Sequence, residues 1–240
     1  MSLDNISPPR LAVLIDAENM PSKYAEAIFE EVAKFGEASV RRLYGDIDEG
    51  SVRPWLDKTA GLAIAVLHQP KNTSGKNASD IALVIDAMDL LGARHLQGFV
   101  IVSSDGDFTK LAQRIREQGV DVWGIGNSHT PKSFRMACKT FIEVENLDDS
   151  APAKAIAASV GRKNVNHAFQ LISNIASDSN EASGWATLAW IGAQLNQRYP
   201  DFDSRSYGHK RLSDLVTEID RFEIRKDGNG ILIRQKGSND

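Results

Sequence analysis

The sequence predicts an α/β fold, a parallel sheet with helices on both faces, followed by a small C-terminal winged helix-turn-helix domain. Three observations carry this. Short β-rich runs alternate with helix-length stretches from Leu11 to Val144, which calls for right-handed crossovers and hence a parallel sheet. Runs such as LAVLI and FVIV are apolar throughout, as in strands covered on both faces. The last third instead reads as three helices and then two β-rich runs about a turn signal.

Residues 11–15 form the first strand. Residues 21–34 put Tyr24, Ala27, Ile28 and Val32 at helical spacing, with Pro21 suited to the first turn and Gly36 to the exit. A strand at 39–44, a short helix at 51–60 and a strand at 62–67 follow. Residues 79–91 are strongly helical, 99–102 make a buried strand, and 108–117 make a helix ended by Gly119. Strands at 120–125 and 141–144 complete the pattern. Residues 148–163, rich in Ala and Ser with few large apolar side chains, read as a linker between a domain at 1–147 and one at 164–240. Helices are expected at 165–176, 185–197 and 206–219, and strands at 221–225 and 231–234. Those strands flank Asp227-Gly228-Asn229-Gly230, a strong hairpin turn signal.

The 240 residues are 42% hydrophobic and 25% charged, ordinary for a globular chain and unlike a disordered one. A single cysteine, Cys138, excludes an intrachain disulfide and a zinc ribbon, and points to a reducing, cytoplasmic setting. No apolar run nears the roughly 18 residues of a membrane span, and the first ten residues lack the order of a signal peptide. Through Ser150 there are 16 Lys+Arg against 22 Asp+Glu, a net −6, leaving +2 for the remainder. An acidic body suits cations and a basic tail suits a polyanion.

The informative acids stand at strand ends. Asp16 follows LAVLI, and Asp105 and Asp107 follow FVIV. Ligands of open parallel sheets bind at the carboxyl ends of strands, so the three carboxylates converge if these strands are neighbours. Converging carboxylates repel unless a cation neutralises them, and all-oxygen ligation points to Mg²⁺ or Mn²⁺. An Asp after a strand is also a common turn former or N-cap, and one of Asp105 and Asp107 suits capping the next helix. Asp80 opens the helix in KNASDIALVIDAMDLL, where the helix dipole alone favours a carboxylate. Asp86 and Asp89 read as solvated or structural. Asn19 is placed to position water or a phosphate oxygen, or to cap the next helix. Ser74-Gly75-Lys76 lacks the rest of a P-loop, the five histidines show no metal-ligand spacing, and Cys138 reads as a small buried hydrophobe.

Together LAVLIDAEN, KNASD and SSDGDF resemble the NYN domain, the LabA/DUF88-like branch of the PIN-like nucleases, over about residues 10–146. The resemblance implies a Rossmann-like fold in which acidic residues bind divalent metal and cleave RNA. It assigns Asp16, Asp80, Asp105 and Asp107 to the acidic set and Asn19 to the polar position of the first motif. KNASD departs from the family in lacking the glycine often found after its lysine. The tail, GWATLAWIGAQLNQRYPDFDSRSYGHKRLSDLV and then FEIRKDGNGILIR, looks like an OST-HTH/LOTUS winged helix, a family associated with RNA and, in some members, protein partners.

These features favour a metal-dependent ribonuclease, with Asp16, Asp80, Asp105 and Asp107 as both catalytic and metal-binding residues. Lys71, Lys76, Lys132 and Arg135 are offered as RNA backbone contacts in the first domain. Arg205, Tyr207, His209, Lys210 and Arg211, with Arg225 and Lys226 on the wing, are offered as a basic, aromatic surface for single-stranded or structured RNA. Tyr207 equally fits the winged-helix core. Two alternatives share the residues: an inactive RNA-binding or scaffolding protein, and a phosphohydrolase of small phosphate esters.

Overall fold

The amino-terminal strand, β1 (Arg10–Asp16), lies at the centre of a sheet because its side chains are apolar on both sides. Leu11, Val13 and Ile15 enter one core with Ile28, Val32 and Trp55, while Ala12 and Leu14 enter a second with Leu83, Leu111 and Phe134. This two-residue alternation into two separate cores is what a strand between two helical layers must show. The structure is a computed structural model that describes residues 7–70, 77–147, 163–179, 184–228 and 230–237. The chain divides into two compact units, with the boundary after Asp148.

In the first unit β1 leads through a 3₁₀ turn (Ser22–Tyr24) to α1 (Ala25–Val32), β2 (Glu37–Gly45), α2 (Arg53–Thr59) and β3 (Ala65–His68). Then come α3 (Ala78–Gly92), β4 (Gly98–Val102), a 3₁₀ turn (Gly106–Phe108), α4 (Thr109–Glu117), β5 (Asp121–Gly126), α5 (Lys132–Ala137) and β6 (Thr140–Glu143). The six strands run in the order β3-β2-β1-β4-β5-β6, every pair parallel. The chain winds outward from β1 through β2 to β3, then crosses back to β4 on the other side of β1. The topological switch point therefore falls between β1 and β4, with Ile15 paired to Val102.

Two departures from the sequence reading have local causes. The strand expected at 62–67 begins only at Ala65, because the end of α2 runs on into a turn. There Leu62 N–H donates to Lys58 O at 3.1 Å and Ala63 takes a φ of +51°. The helix α5 goes unpredicted: at six residues it is too short to show a period.

In the second unit α6 (Val165–Ser177) is capped by Asn164, whose side chain accepts the Asn166 N–H at 2.8 Å. A two-residue strand, β7 (Ala186–Thr187), precedes α7 (Leu188–Arg198). This helix starts three residues later than expected because Thr187 caps it and Ala186 pairs with the wing. The expected helix at 206–219 is split. A 3₁₀ turn (Ser204–Tyr207) ends at Gly208 in the left-handed region, and α8 (Leu212–Ile219) restarts after the extended Arg211. The hairpin of β8 (Phe222–Asp227) and β9 (Gly230–Gln235) completes an antiparallel sheet in the order β7-β9-β8. Ala168, Ile172, Ile191, Leu195, Leu215 and Ile233 form the unit's own core. Of the segment expected as a linker, 148–163, only Lys163 lies among the described residues. Among the described residues no helix is long and apolar enough to cross a membrane.

Candidate functional site

Asp16 ends β1 beside Ser103, which directly follows β4, so the two strands meet at their carboxyl ends through a side-chain contact. The Ser103 hydroxyl donates to Asp16 Oδ2 at 2.7 Å, and the Asn19 amide donates to the same oxygen at 2.7 Å. Asp16 Oδ1 accepts the backbone N–H groups of Glu18 and Asn19 at 3.2 and 3.3 Å. The carboxylate is almost fully buried. Burial raises its pKa above the usual range, against the lowering effect of these four hydrogen bonds. The next helix is capped at Pro21 rather than Asn19, and the Asn19 amide orients Asp16.

Ser103 Oγ also accepts the Asp105 N–H at 3.0 Å, joining the two acidic motifs through one buried hydroxyl. Asp105 caps the 3₁₀ turn, its Oδ1 accepting the Asp107 N–H at 2.8 Å, while Asp107 itself is exposed in that turn. Asp80 stands in the first turn of α3. Its pKa is pushed up to about 6, first by burial and then by the charges of Asp16, Asp105, Glu18 and Asp107. Asp80 therefore feels four other carboxylates across the β1/β4 switch point. Among the described residues no lysine or arginine forms an ion pair with Asp16, Asp80, Asp105 or Asp107. An all-oxygen donor set under mutual repulsion fits a hard divalent cation.

Glu18 and Ser103 are the site residues that sequence reasoning missed. Glu18 Oε1 accepts the Ser79 hydroxyl at 3.0 Å, which ties the first motif to the start of α3. Both residues sit inside the quoted motifs, so their position was visible although their role was not. A second group was also missed. Asp46, Asp48 and His68 bring one ligand atom each within 4.8 Å of one another, although the histidines show no ligand spacing in the sequence. Their meeting depends on the β2–β3 pairing, Gly45 opposite His68. Asp86 is structural, bonded to Arg42 and the Tyr44 hydroxyl.

The residues offered to RNA divide into outward and inward sets. Lys132 is exposed at the start of α5. Arg135 is a correction: it is buried, pairs with Glu143 at 2.8 Å, donates to Thr130 O at 2.8 Å and packs on the Phe141 ring. Lys71 and Lys76 lie outside the described residues. In the second unit Lys210, Arg211, Arg225 and Lys226 are all exposed. Tyr207 is a further correction, since it is a core residue whose hydroxyl lies 3.0 Å from His167 Nδ1 and whose ring packs on Phe202. Arg205 is held by Asp203, with Nε 2.9 Å from Oδ2. His209 is largely enclosed, its Nε2 being 2.8 Å from Glu218 Oε2 but off the line of a hydrogen bond. Sequence showed charge and aromaticity in this segment; the break at Gly208 turned half of it inward.

The NYN domain family model matches residues 10–147, and the OST-HTH/LOTUS domain model matches residues 168–233. No curated protein matches the chain. A crystal structure of a protein of unknown function from Vibrio parahaemolyticus is similar at 21% identity and a TM-score of 0.49, covering 62% of this chain and 98% of that one. The matched NYN segment spans more than half of the sequence and contains every acidic residue of the β1/β4 site. The chain belongs to the NYN domain family, within the PIN-like nuclease superfamily, and carries an OST-HTH/LOTUS winged helix after it.

Proposed function

We propose that this protein is a divalent-metal-dependent ribonuclease whose catalytic domain is residues 1–147, joined by a linker at 148–163 to an RNA-holding winged helix at 164–240. The observation that supports the reading is that Asp80 stands within electrostatic reach of Asp16, Asp105 and Asp107 at the switch point, with no ion pair from a lysine or arginine to any of the four among the described residues. A protein that only held RNA would lose affinity from such a charge. Bound Mg²⁺ or Mn²⁺ would supply charge neutralisation and a polarised phosphate and water there.

The chain's own residues do the rest. Ser103 and Asn19 hold Asp16 in one orientation, so no ordering cost falls on the moment of reaction. Asp105 uses one oxygen as a cap and keeps the other for the site. Asp80, in the first turn of α3 beside the other carboxylates, would serve as a metal ligand or as the base that takes a proton from the attacking water. Lys210, Arg211, Arg225 and Lys226 hold RNA by its phosphates. Incubation of single-stranded RNA with Mg²⁺ or Mn²⁺ tests this. Wild type is expected to leave 5′-phosphate ends, and Asp16→Asn or Asp105→Asn to lower the rate by about two orders of magnitude. Activity that survives both substitutions would remove this site from the mechanism. Turnover of a generic phosphomonoester with none on RNA would favour the small-ester reading.

A further inference from the structure

We propose that Arg135, offered by the sequence as an RNA contact, is a positioning residue instead: it braces the loop after β5 against the turn that carries Asp105 and Asp107. Its service to catalysis rests on the nuclease reading of that turn; the brace itself rests on the bonding around Arg135. The residue lies in the last turn of α5, and its side chain and that of Glu143 are each only 8% exposed. Its guanidinium is closed on three fixed acceptors. Nη1 donates to Glu143 Oε1 at 2.8 Å, Nε donates to Thr130 O at 2.8 Å, and Nη2 donates to Ser128 O. Buried carbonyls need donors, and a planar fork serves several at once where an ammonium group cannot keep the same angles. The loop closes on itself as well. Thr130 is buried, and its N–H and its hydroxyl both donate to Asn127 O, at 3.1 and 2.8 Å. Glu145 Oε1 accepts the Ser128 N–H at 3.1 Å.

This braced loop meets the acidic turn at three successive points. Asn127 N–H donates to Ser104 Oγ at 2.9 Å, one residue before Asp105. Pro131 stands against Gly106, between the two acids, so closely that a Cβ on that glycine would lie 3.0 Å from Pro131 Cγ. Just after the turn, the Thr109 hydroxyl donates to Ser133 Oγ at 3.3 Å. The turn thus takes its position from the loop as well as from β4, and the loop takes its own from Arg135. Glu143 is the last residue of β6, at the edge of the sheet. Through one buried ion pair, that outer strand bears on carboxylates at the β1/β4 junction.

Arg135→Lys keeps a cation beside the buried Glu143 but loses the fork to Ser128 O and Thr130 O. In the full chain it is expected to lower kcat for RNA cleavage about a hundredfold with KM little changed, as a displacement of roughly 1 Å does at a reacting centre. NMR order parameters of the Asp105 and Asp107 amides should fall from the rigid value of about 0.85 toward 0.6, while those of β1 stay rigid. The neutral pair Arg135→Met with Glu143→Gln removes the buried charges together with the fork, and it carries the same measurements if the lysine variant does not fold. Unchanged order parameters at Asp105 and Asp107 in a folded variant would overturn the brace. So would loosening that extends to β1, an unchanged kcat, or failure of both variants to fold, each of which leaves the ion pair a purely structural role. If the turn loosens but the wild-type chain cleaves no RNA, the brace stands and the nuclease reading falls.

Discussion

Asp80 carries a charge that the folded chain disfavours at neutral pH. Its pKa stands at about 6 against an ordinary 3.8. Between these values the folded chain holds a proton that the unfolded chain has released, so stability falls as pH rises through the window and the penalty is complete above it. In EDTA, Asp80→Asn is therefore expected to be more stable than wild type at pH 7.5, by about 1 kcal/mol once solvent screening of this half-exposed group is allowed for. The gain should shrink to nothing near pH 4. Urea denaturation at both pH values reads it, and a gain that does not change with pH would mean that burial and the neighbouring charges do not raise Asp80. The four acids were legible because each follows or opens an element with a plain sequence signature. Ser103 was not, since a serine after a strand reads as a turn former until β1 and β4 are known to be neighbours. Arg135 and Tyr207 were misread for the converse reason: composition shows what a side chain is, whereas its direction depends on the packing around it.

Among the elements, β5 bears on the site through its last residue, Gly126. A Cβ on Gly126, its last residue, would stand 2.6 Å from the Ser103 carbonyl oxygen and 2.6 Å from Thr130 Oγ1. Gly126→Ala must push β5 away from the residue that orients Asp16. The expected cost is about 1–3 kcal/mol in urea denaturation, with a fall in RNA cleavage larger than that loss of folded protein explains. Gly92→Ala is the control, because a Cβ at the end of α3 meets nothing within 4 Å and should leave both measurements nearly unchanged. All six strands were legible as elements along the chain and as a parallel set, since apolar runs alternate with helix-like stretches, whereas their order across the sheet was not. The wing hairpin was legible from its turn residues. What stayed hidden were α5 and β7, too short for periodicity, and the break in the expected helix at 206–219, where Gly208 takes a φ of +88°.

Each unit of the molecule has its own core, so each is expected to fold by itself. Residues 1–147 alone should cleave RNA with little change in kcat and a raised KM, because the winged helix contributes local RNA concentration rather than chemistry. Substituting Lys210, Arg211, Arg225 and Lys226 together by Ala should reproduce that raised KM in the full chain. It should also flatten the salt dependence of RNA binding by about 0.7 in log–log slope for each phosphate no longer neutralised. Wild-type binding at every salt concentration would make that surface a protein-partner site instead. A final consequence follows from Cys138, the chain's one thiol. It is fully enclosed next to β6, donates to Phe134 O at 3.3 Å, and has its pKa pushed up to about 12 by burial. Reaction with a disulfide reagent requires the thiolate, so in the native fold this sulfur is silent. Labelling then proceeds only when the first unit opens, and its rate across a denaturant series measures that opening without interference from the second unit. The buried cysteine is thus a ready-made stopwatch for one half of the protein.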